Sequence, residues 1–343
     1  MNLKANMKNT KLILSTVAAA ALLSACGGGG GGTTASVPSA TPVTVSASSS
    51  AAFEAMYQPI QTTVPAAPYA AGSREAAEFK TLNEQRSACG FGLLSNNESL
   101  RLAAVDHSKY LDEYGQRITN DGLSIHEQFL KYPNGFTGAT FFDRAKFRGY
   151  GGSKVSETLG GSLQNTSAAR FLISAPYHAG AIFTGYMDVG ISAGAVVVFD
   201  YGSQSKLQRK DASILTYPCS GVTGVAPKLP TETPSPYSPR NLGANPIGHP
   251  VYFFGDESVA VVAGRKSQID VPDLVVTEDI TGSVVAMLPV QNRDNDPNAA
   301  YVGPGFAYAA PDKPLKNLTK YRVRATVKAN GVTTLVDYTF TTG

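Results

Sequence analysis

The stretch that decides the fold runs from residue 124 to residue 178 and reads SIHEQFLKYPNGFTGATFFDRAKFRGYGGSKVSETLGGSLQNTSAARFLISAPYH. Two of the four histidines of the chain, His126 and His178, stand near its ends. Between them lie three carboxylates, Glu127, Asp143 and Glu157. Histidine and carboxylate side chains bind divalent metals and transfer protons, provided that folding brings them together. The stretch therefore predicts a polar site built from residues that are far apart in sequence.

Short motifs follow one another through this stretch in a definite order. A histidine comes first, then the pattern G-[FY]-x-G-x-[ST]-x-x-[DE]-R at 135–144, a Gly-Tyr pair, a glutamate before a short apolar run, and S-x-P-x-H at 174–178. This order resembles the bacterial branch of the CAP superfamily, named for cysteine-rich secretory proteins, antigens and pathogenesis-related proteins. The resemblance covers residues 74–225. It implies an α+β fold in which a CAP-like domain forms a three-layer α-β-α sandwich.

The resemblance also implies a cleft where two histidines and two acidic residues meet, and in some members the histidine pair holds a divalent cation. Position by position, His126 matches the first histidine, Glu157 the first acid and His178 the second histidine. The second acid is missing, because 171–174 reads FLIS. We therefore expect His126 and His178 to be ligands of a zinc-like cation, with Glu157 fixing one imidazole tautomer. The alternative is a hydrogen-bonded polar cluster without a metal.

The segment before this stretch carries a clear helical stripe. Leucine, alanine, histidine and tyrosine recur at steps of three and four from Leu100 to Tyr114, after two asparagines that can cap a helix. His107 falls on the apolar side of this stripe. A histidine on an apolar face is usually a hydrogen-bonded core residue, so a core position is predicted for His107 and a site role is the alternative.

The first 26 residues have the pattern of a secretory signal. Three lysines precede an apolar run from Leu12 to Ala25 that is too short to span a bilayer. The run ends in LSAC, which resembles a bacterial lipobox, so Cys26 is expected to be diacylated and to begin the mature chain. An ordinary signal peptide is the alternative. Gly27 stands where an aspartate commonly retains lipoproteins in the inner membrane, so the outer membrane of a diderm bacterium is the expected location.

The charge balance excludes a nucleic-acid surface. The chain has 29 basic and 26 acidic residues, and three of the basic ones are the lysines of the signal. The mature chain is therefore balanced, whereas nucleic-acid binding requires a concentrated excess of lysine and arginine. Residues 27–73 are rich in Gly, Ser, Thr, Ala and Pro, which predicts a flexible tether.

The other two cysteines are predicted to pair. With Cys26 used for the lipid, Cys89 and Cys219 remain, and an exported chain meets an oxidising compartment. A bond between them would join the two ends of the CAP-like region. Two separately buried thiols are the alternative.

Proline and strand patterns divide the C-terminal third. Residues 226–246 are rich in proline, which predicts a linker. Residues 247–343 contain several short strand patterns, with Asn330-Gly331 as a hairpin signal between the last two. This region resembles the bacterial Ig-like domains appended to surface proteins, which implies a small all-β sandwich.

Two functions of different classes fit the sequence. The favoured one is a surface-tethered binding module that holds a metal, a lipid or a glycan in the cleft, with a surface protein as a further possible ligand. The other is a cell-envelope hydrolase that activates water with His126, Glu157 and His178. No catalytic nucleophile is identified, because the chain lacks a G-x-S-x-G elbow, and position 130 is leucine where a zinc-peptidase helix needs a second histidine.

Overall fold

The structure is a computed structural model that describes residues 47–161, 167–229, 231–257 and 266–343. The predicted signal peptide and Cys26 lie outside these residues. The helices in the described ranges are α1 (Ala47–Met56), α2 (Arg74–Ala88), α3 (Glu98–Asn120), α4 (Phe141–Phe147), α5 (Ala168–Ile173) and α6 (Pro176–Phe183). The strands are β1 (Tyr57–Gln58), β2 (Ser95–Asn96), β3 (Lys154–Gly161), β4 (Asp188–Ala193), β5 (Val196–Ser203), β6 (Leu207–Gln208), β7 (Leu215–Tyr217), β8 (Lys228–Leu229), β9 (Ile247–Gly248), β10 (Val251–Phe254), β11 (Ile269–Glu278), β12 (Gln291–Asn292), β13 (Phe306–Ala309), β14 (Lys320–Ala329) and β15 (Val332–Thr341). None of these helices combines the length and the apolar content needed to cross a bilayer.

One four-stranded sheet, in the order β2-β4-β5-β3, positions the polar stretch. The central strand β5 reads VVVFDYGS and is buried along almost its whole length, as β-branched and aromatic residues favour. The long helix α3 packs against β4 and β5. A Cβ atom at Gly190 in β4 would come within 2.1 Å of the backbone nitrogen of Arg101, so only glycine permits this close approach. The apolar stripe predicted for α3 is confirmed. Leu100 and Tyr114 are buried, and so are the residues between them that lie on the same face of the helix.

The edge strand β3 contacts helices on both of its faces. Leu159 clusters with apolar residues of α3, whereas a Cβ atom at the next residue, Gly160, would lie 3.0 Å from Ala168 in α5. Successive side chains of a strand point to opposite faces, so α3 and α5 lie on different sides of β3. The fold is therefore mixed α/β with several sheets, and the finer three-layer arrangement stays a prediction.

The predicted disulfide is present. Cys89 follows α2, and its sulfur is bonded to that of Cys219, with the two Cα atoms 5.4 Å apart. Both cysteines are buried and belong to the main hydrophobic core. The bond therefore joins segments 130 positions apart in the sequence.

The end of the predicted tether differs from the expectation. Tyr57 is buried, and β1 pairs in parallel with β6. The side-chain amide of Gln61 donates to the carbonyl oxygens of Leu93 at 2.9 Å and Met187 at 2.8 Å. Tethers lack such fixed long-range bonds, so the part of 27–73 that follows α1 packs against the folded chain. The reason is that a few aromatic and amide side chains suffice to anchor a Pro- and Ala-rich segment.

The Pro-rich segment 226–246 also packs against its surroundings. Leu229 and Leu242 are buried in a cluster with Ile247, and Arg240 forms an ion pair with Asp312 at 2.5 Å. Proline removes backbone hydrogen-bond donors but does not prevent neighbouring side chains from being buried. The segment therefore differs from the flexible linker that its composition predicts.

A second sheet crosses the predicted domain boundary. Its order is β12-β13-β10-β7, so a strand from the predicted CAP-like range 74–225 pairs with strands from the predicted Ig-like range 247–343. Core residues from Leu82 to Phe340 belong to one cluster, and the described residues form one compact unit. The C-terminal strands β11, β14 and β15 form a separate antiparallel sheet. The hairpin signal is confirmed, because Asn330 and Gly331 both have positive φ, at 50° and 79°, between β14 and β15.

Candidate functional site

The imidazole ring of His126 rests on a buried carboxylate. His126 lies in the loop between α3 and α4, and its Nδ1 is 2.9 Å from Oε1 of Glu157 on β3. The Glu157 side chain is fully buried, whereas 38% of the His126 side chain is exposed. An ionised carboxylate can only accept hydrogen bonds, so Nδ1 donates and Nε2 of the neutral ring keeps its lone pair. The ring therefore presents a hydrogen-bond acceptor at a half-exposed position.

Arg144 holds the same carboxylate from the other side. The capping box of α4, formed by Thr140 and Asp143, fixes the start of this short helix and hence the position of Arg144, the residue after Asp143. The Nη2 atom of Arg144 donates to Oε2 of Glu157 at 2.6 Å and to the carbonyl oxygen of His126 at 3.2 Å. One buried guanidinium therefore neutralises Glu157 and fixes the backbone that carries His126.

His107 completes the environment of this ion pair. It is fully buried in α3, and its Nε2 donates to the carbonyl oxygen of Ile125 at 3.0 Å and lies 3.7 Å from Oε2 of Glu157. Burial lowers the pKa of His107 to about 4, so the ring is neutral at physiological pH. The predicted core position of His107 is confirmed, although it also borders the site.

Glu157 stays ionised although it is buried. Burial acts to raise the pKa of its carboxyl, but the charge that His107 takes up below its own pKa, the guanidinium of Arg144 and the hydrogen bond with His126 more than offset burial and lower the pKa to about 2. Asp200 on β5 is the cross-strand partner of Glu157. It is fully buried, and its carboxyl is within hydrogen-bonding reach of Glu157. Burial, and after it the negative charge of Glu157, raises the pKa of Asp200 well above its usual range. Of these two adjacent carboxyls, one is therefore ionised and the other protonated.

Asp200→Asn tests this assignment through the pH dependence of stability. Because the pKa of Asp200 is raised on folding, its stabilising contribution is fully present below about pH 4 and is lost as the pH rises through the folded-state pKa. Asparagine cannot ionise, so the variant should match wild type within about 1 kcal/mol near pH ~4 and become the more stable protein toward pH ~8. Urea unfolding across this range measures the difference.

The control for this series is Asp121→Asn, which should show the opposite trend. Asp121 is exposed, and its hydrogen bond from Lys131 lowers its pKa, so its contribution is present at neutral pH and is lost as the pH falls. If the Asp200→Asn protein is instead less stable than wild type near neutral pH, Asp200 is ionised in the folded chain.

His178 lies in a different setting from the one expected. At the start of α6, its Nδ1 is 2.6 Å from Oε1 of Glu232, which also accepts from the backbone nitrogens of Tyr177 and His178. The preceding helix α5 faces Gly160, on the side of β3 opposite to Glu157. The contacts of the described residues join His126 to Glu157 but join His178 to neither of them. The expected single cleft of His126, Glu157 and His178 is therefore replaced by two separate histidine–glutamate pairs.

The zinc-like cation expected at His126 and His178 stays a prediction. Each of the two imidazoles places Nδ1 on its own glutamate, a contact that also orients metal-binding histidines, and leaves Nε2 free. In the described residues no three His, Cys, Asp or Glu side chains are grouped to hold a metal ion. Glu157 is further committed to Arg144. The contacts of the described residues do not join His126 to His178, the two expected ligands.

Three residues of these sites were not predicted as site residues. Arg144 is the last residue of the pattern at 135–144, so the sequence contained a signal that could have identified it as a site residue. Asp200 had a weaker signal, since it is a carboxylate inside the apolar strand β5. Glu232 had none, because it lies 54 positions from His178 in a segment whose composition predicts a linker.

Comparison with known proteins gives distant structural similarities. No protein-family profile and no curated protein matches the chain. An extracellular protein containing a SCP domain from Bacillus anthracis is 16% identical with a TM-score of 0.32, over 40% of this chain and 45% of that protein. An outer surface protein from Borrelia burgdorferi is 14% identical with a TM-score of 0.30, over 40% of this chain and 97% of that protein. The chain thus spans less than half the length of the Bacillus protein.

Proposed function

We propose that this chain is an extracytoplasmic, lipid-anchored CAP-like protein that works as a binding module, with His126 as the side chain that contacts the ligand. One observation carries the proposal: the half-exposed imidazole of His126 is fixed on the buried pair of Glu157 and Arg144. Fixing a ring in one orientation reduces the entropy lost when a ligand binds. Its open Nε2 accepts a hydrogen bond, which suits the hydroxyl groups of a glycan or of a lipid headgroup.

The location outside the cytoplasm is supported by the disulfide and by the N-terminal sequence. The Cys89–Cys219 bond belongs to proteins of oxidising compartments, since cytosolic thiols are kept reduced. The sequence before Cys26 has the pattern of a lipoprotein signal. Both features support a location outside the cytoplasm. The signal also supports our proposal that the chain is anchored in a membrane, for which we propose the outer membrane.

Cys26→Ala is expected to abolish lipid attachment. Without the thiol there is no acceptor for the diacylglyceryl group, so the protein should remain an unprocessed precursor and leave the detergent phase in Triton X-114 partitioning. Metabolic labelling with a palmitate analogue gives a second readout, with Ser24→Ala as a matched control that keeps the cysteine. Equal labelling of the Cys26→Ala protein and wild type would contradict lipidation.

A cell-envelope hydrolase is the second candidate, because a histidine fixed by a carboxylate is also the arrangement of a general base. Against it, no serine, threonine or cysteine side chain among the described residues hydrogen-bonds to the ring of His126 or His178. A hydrolase would therefore have to attack with water activated directly by the imidazole.

One set of experiments separates binding from hydrolysis. Purified protein is incubated with peptidoglycan sacculi, with phosphatidylglycerol vesicles, and with peptide and ester substrates, and both sedimentation and turnover are measured. We expect sedimentation with sacculi or vesicles that is lost in His126→Ala, and no turnover. Glu127→Ala is the matched control, since Glu127 is the exposed neighbour of His126. Turnover that disappears in a His126→Ala, His178→Ala double variant would favour the hydrolase.

A further inference from the structure

A second feature, away from the two histidines, is a buried arginine without an acidic partner. Arg86 on α2 is fully buried and forms no ion pair with a carboxylate among the described residues. Its Nε donates to the carbonyl oxygen of Gly92 at 2.9 Å, and its Nη1 donates to those of Ile182 and Thr184. The last two carbonyls belong to the C-terminal end of α6, where the helix dipole is negative. These bonds explain why the charge is tolerated, but they use only part of the guanidinium.

The remaining nitrogen of Arg86 is unsatisfied. Nη2 is buried and has no hydrogen-bond partner, although an arginine Nη2 carries two N–H donors. Buried polar groups without a partner are rare in folded proteins and call for a specific explanation. A bound group that accepts hydrogen bonds from Nη2 would supply it.

Arg86 also lines a partly open cavity. The cavity lies where the ends of α2, α6 and β10 meet, and its volume is about 40 Å³. One water molecule needs roughly 10–15 Å³, so the cavity has space for about three waters or for one group of the size of a carboxylate. Phe91, Phe183 and Phe254 form an apolar part of the wall, with ring centroids 4.7 to 5.6 Å apart. The cavity thus combines a buried cationic donor with an aromatic surface.

The other charged groups of the wall are Arg209 and Glu257. Arg209 donates to three backbone carbonyl oxygens, and its acidic neighbours include Glu257. Glu257 accepts from the backbone nitrogen of Gly305 at 3.2 Å. No carboxylate among the described residues forms an ion pair with Arg86, so its charge is left without a counterion in direct contact.

We propose that this cavity binds a small aliphatic carboxylate, or the carboxylate end of a larger ligand, with Nη2 of Arg86 donating to a carboxylate oxygen. A negative charge supplies the counterion that Arg86 lacks, and charge-assisted hydrogen bonds between arginine and carboxylate are among the strongest in proteins. The hydrocarbon part of the ligand packs against the three phenylalanine rings. Water alone would satisfy the donors but not the charge. This site is independent of the function proposed for His126.

The probe for this site is acetate, titrated into the purified full-length chain at constant ionic strength with chloride as the balancing anion. We expect saturable heat in calorimetry and a rise of the thermal midpoint that depends on acetate concentration, as mass action requires for a ligand of the folded state. Inorganic phosphate is the second probe. It should bind at least about tenfold more weakly than acetate, because it has no hydrocarbon part to pack against the phenylalanine rings.

Two variants make the result specific. Arg86→Lys keeps the charge but removes Nη2 and should weaken acetate binding by about tenfold or more. Because Arg86→Lys also disturbs the bonds to α6, a second variant, Ile60→Trp, is needed. Ile60 is half-buried in the wall of the cavity and makes no bond to Arg86. A larger ring at this position should block acetate and leave the fold intact. The proposal is overturned if acetate acts on wild type no differently from chloride, if Ile60→Trp binds acetate as wild type does, or if phosphate binds in preference to acetate.

Discussion

Arg144→Met is expected to lower the free energy of unfolding by about 3–5 kcal/mol, the loss typical of a buried charge left without its partner. Both side chains of the pair Arg144–Glu157 are fully buried, at an N–O distance of 2.6 Å. Without Arg144, Glu157 must either remain charged in the core or take up a proton. Urea denaturation followed by circular dichroism measures the loss.

The double variant Arg144→Met, Glu157→Gln should recover much of this stability, because it removes both charges from the core. Arg322→Met is the matched control: the ion pair of Arg322 with Asp337 is exposed, so its removal should have a much smaller effect. A single Arg144→Met variant that unfolds within about 1 kcal/mol of wild type would show that the ion pair does not form as described.

The second large effect is expected from the disulfide. Replacing Cys89 and Cys219 together by alanine should destabilise the fold by about 2–5 kcal/mol, because the bond closes a long loop and both sulfurs lie in the main core. Thermal unfolding of the double variant measures this loss.

Reduction provides the control for the disulfide. Dithiothreitol should lower the thermal midpoint of wild type toward that of the double variant and leave the double variant unchanged. Thiol labelling under denaturing, non-reducing conditions should label neither Cys89 nor Cys219 in wild type. Labelling of both residues would contradict the bond.

The elements that the sequence predicts well are those defined by local patterns. The stripe from Leu100 to Tyr114 repeats with helical period over four turns, and Asn97 caps the helix through its side chain. The hairpin at Asn330 and Gly331 depends on two adjacent residues that adopt positive φ. The disulfide followed from the number of cysteines and the compartment.

The elements that the sequence does not predict depend on distant partners. Strand β10 is evident as VYFF, but nothing in that pattern shows that it pairs with β7 on the other side of the Pro-rich segment. Glu232 reaches His178 through the same packing. Motif order identified His126 and Glu157 as neighbours, and the structure supports this pairing. The assumption that His178 shares their site failed because position in a motif does not fix which carboxylate lies nearest in space.

The geometry at His126 has one spectroscopic consequence. If Nδ1 donates to Glu157, the neutral ring must be in the Nδ1–H tautomer, with Nε2 unprotonated and available to a ligand. The position of this proton decides whether the exposed edge of the ring accepts or donates a hydrogen bond. The proposed binding mode requires an acceptor.

Long-range proton–nitrogen correlation NMR of the histidine rings at about pH 8, where an unperturbed imidazole is neutral, measures this directly. His126→Ala assigns the signals, and Glu157→Gln serves as the comparison that removes the carboxylate. Our account predicts a protonated Nδ1 and an unprotonated Nε2 for His126 in wild type, with this preference lost in Glu157→Gln. A protonated Nε2 in wild type, or the same tautomer in both proteins, would contradict it.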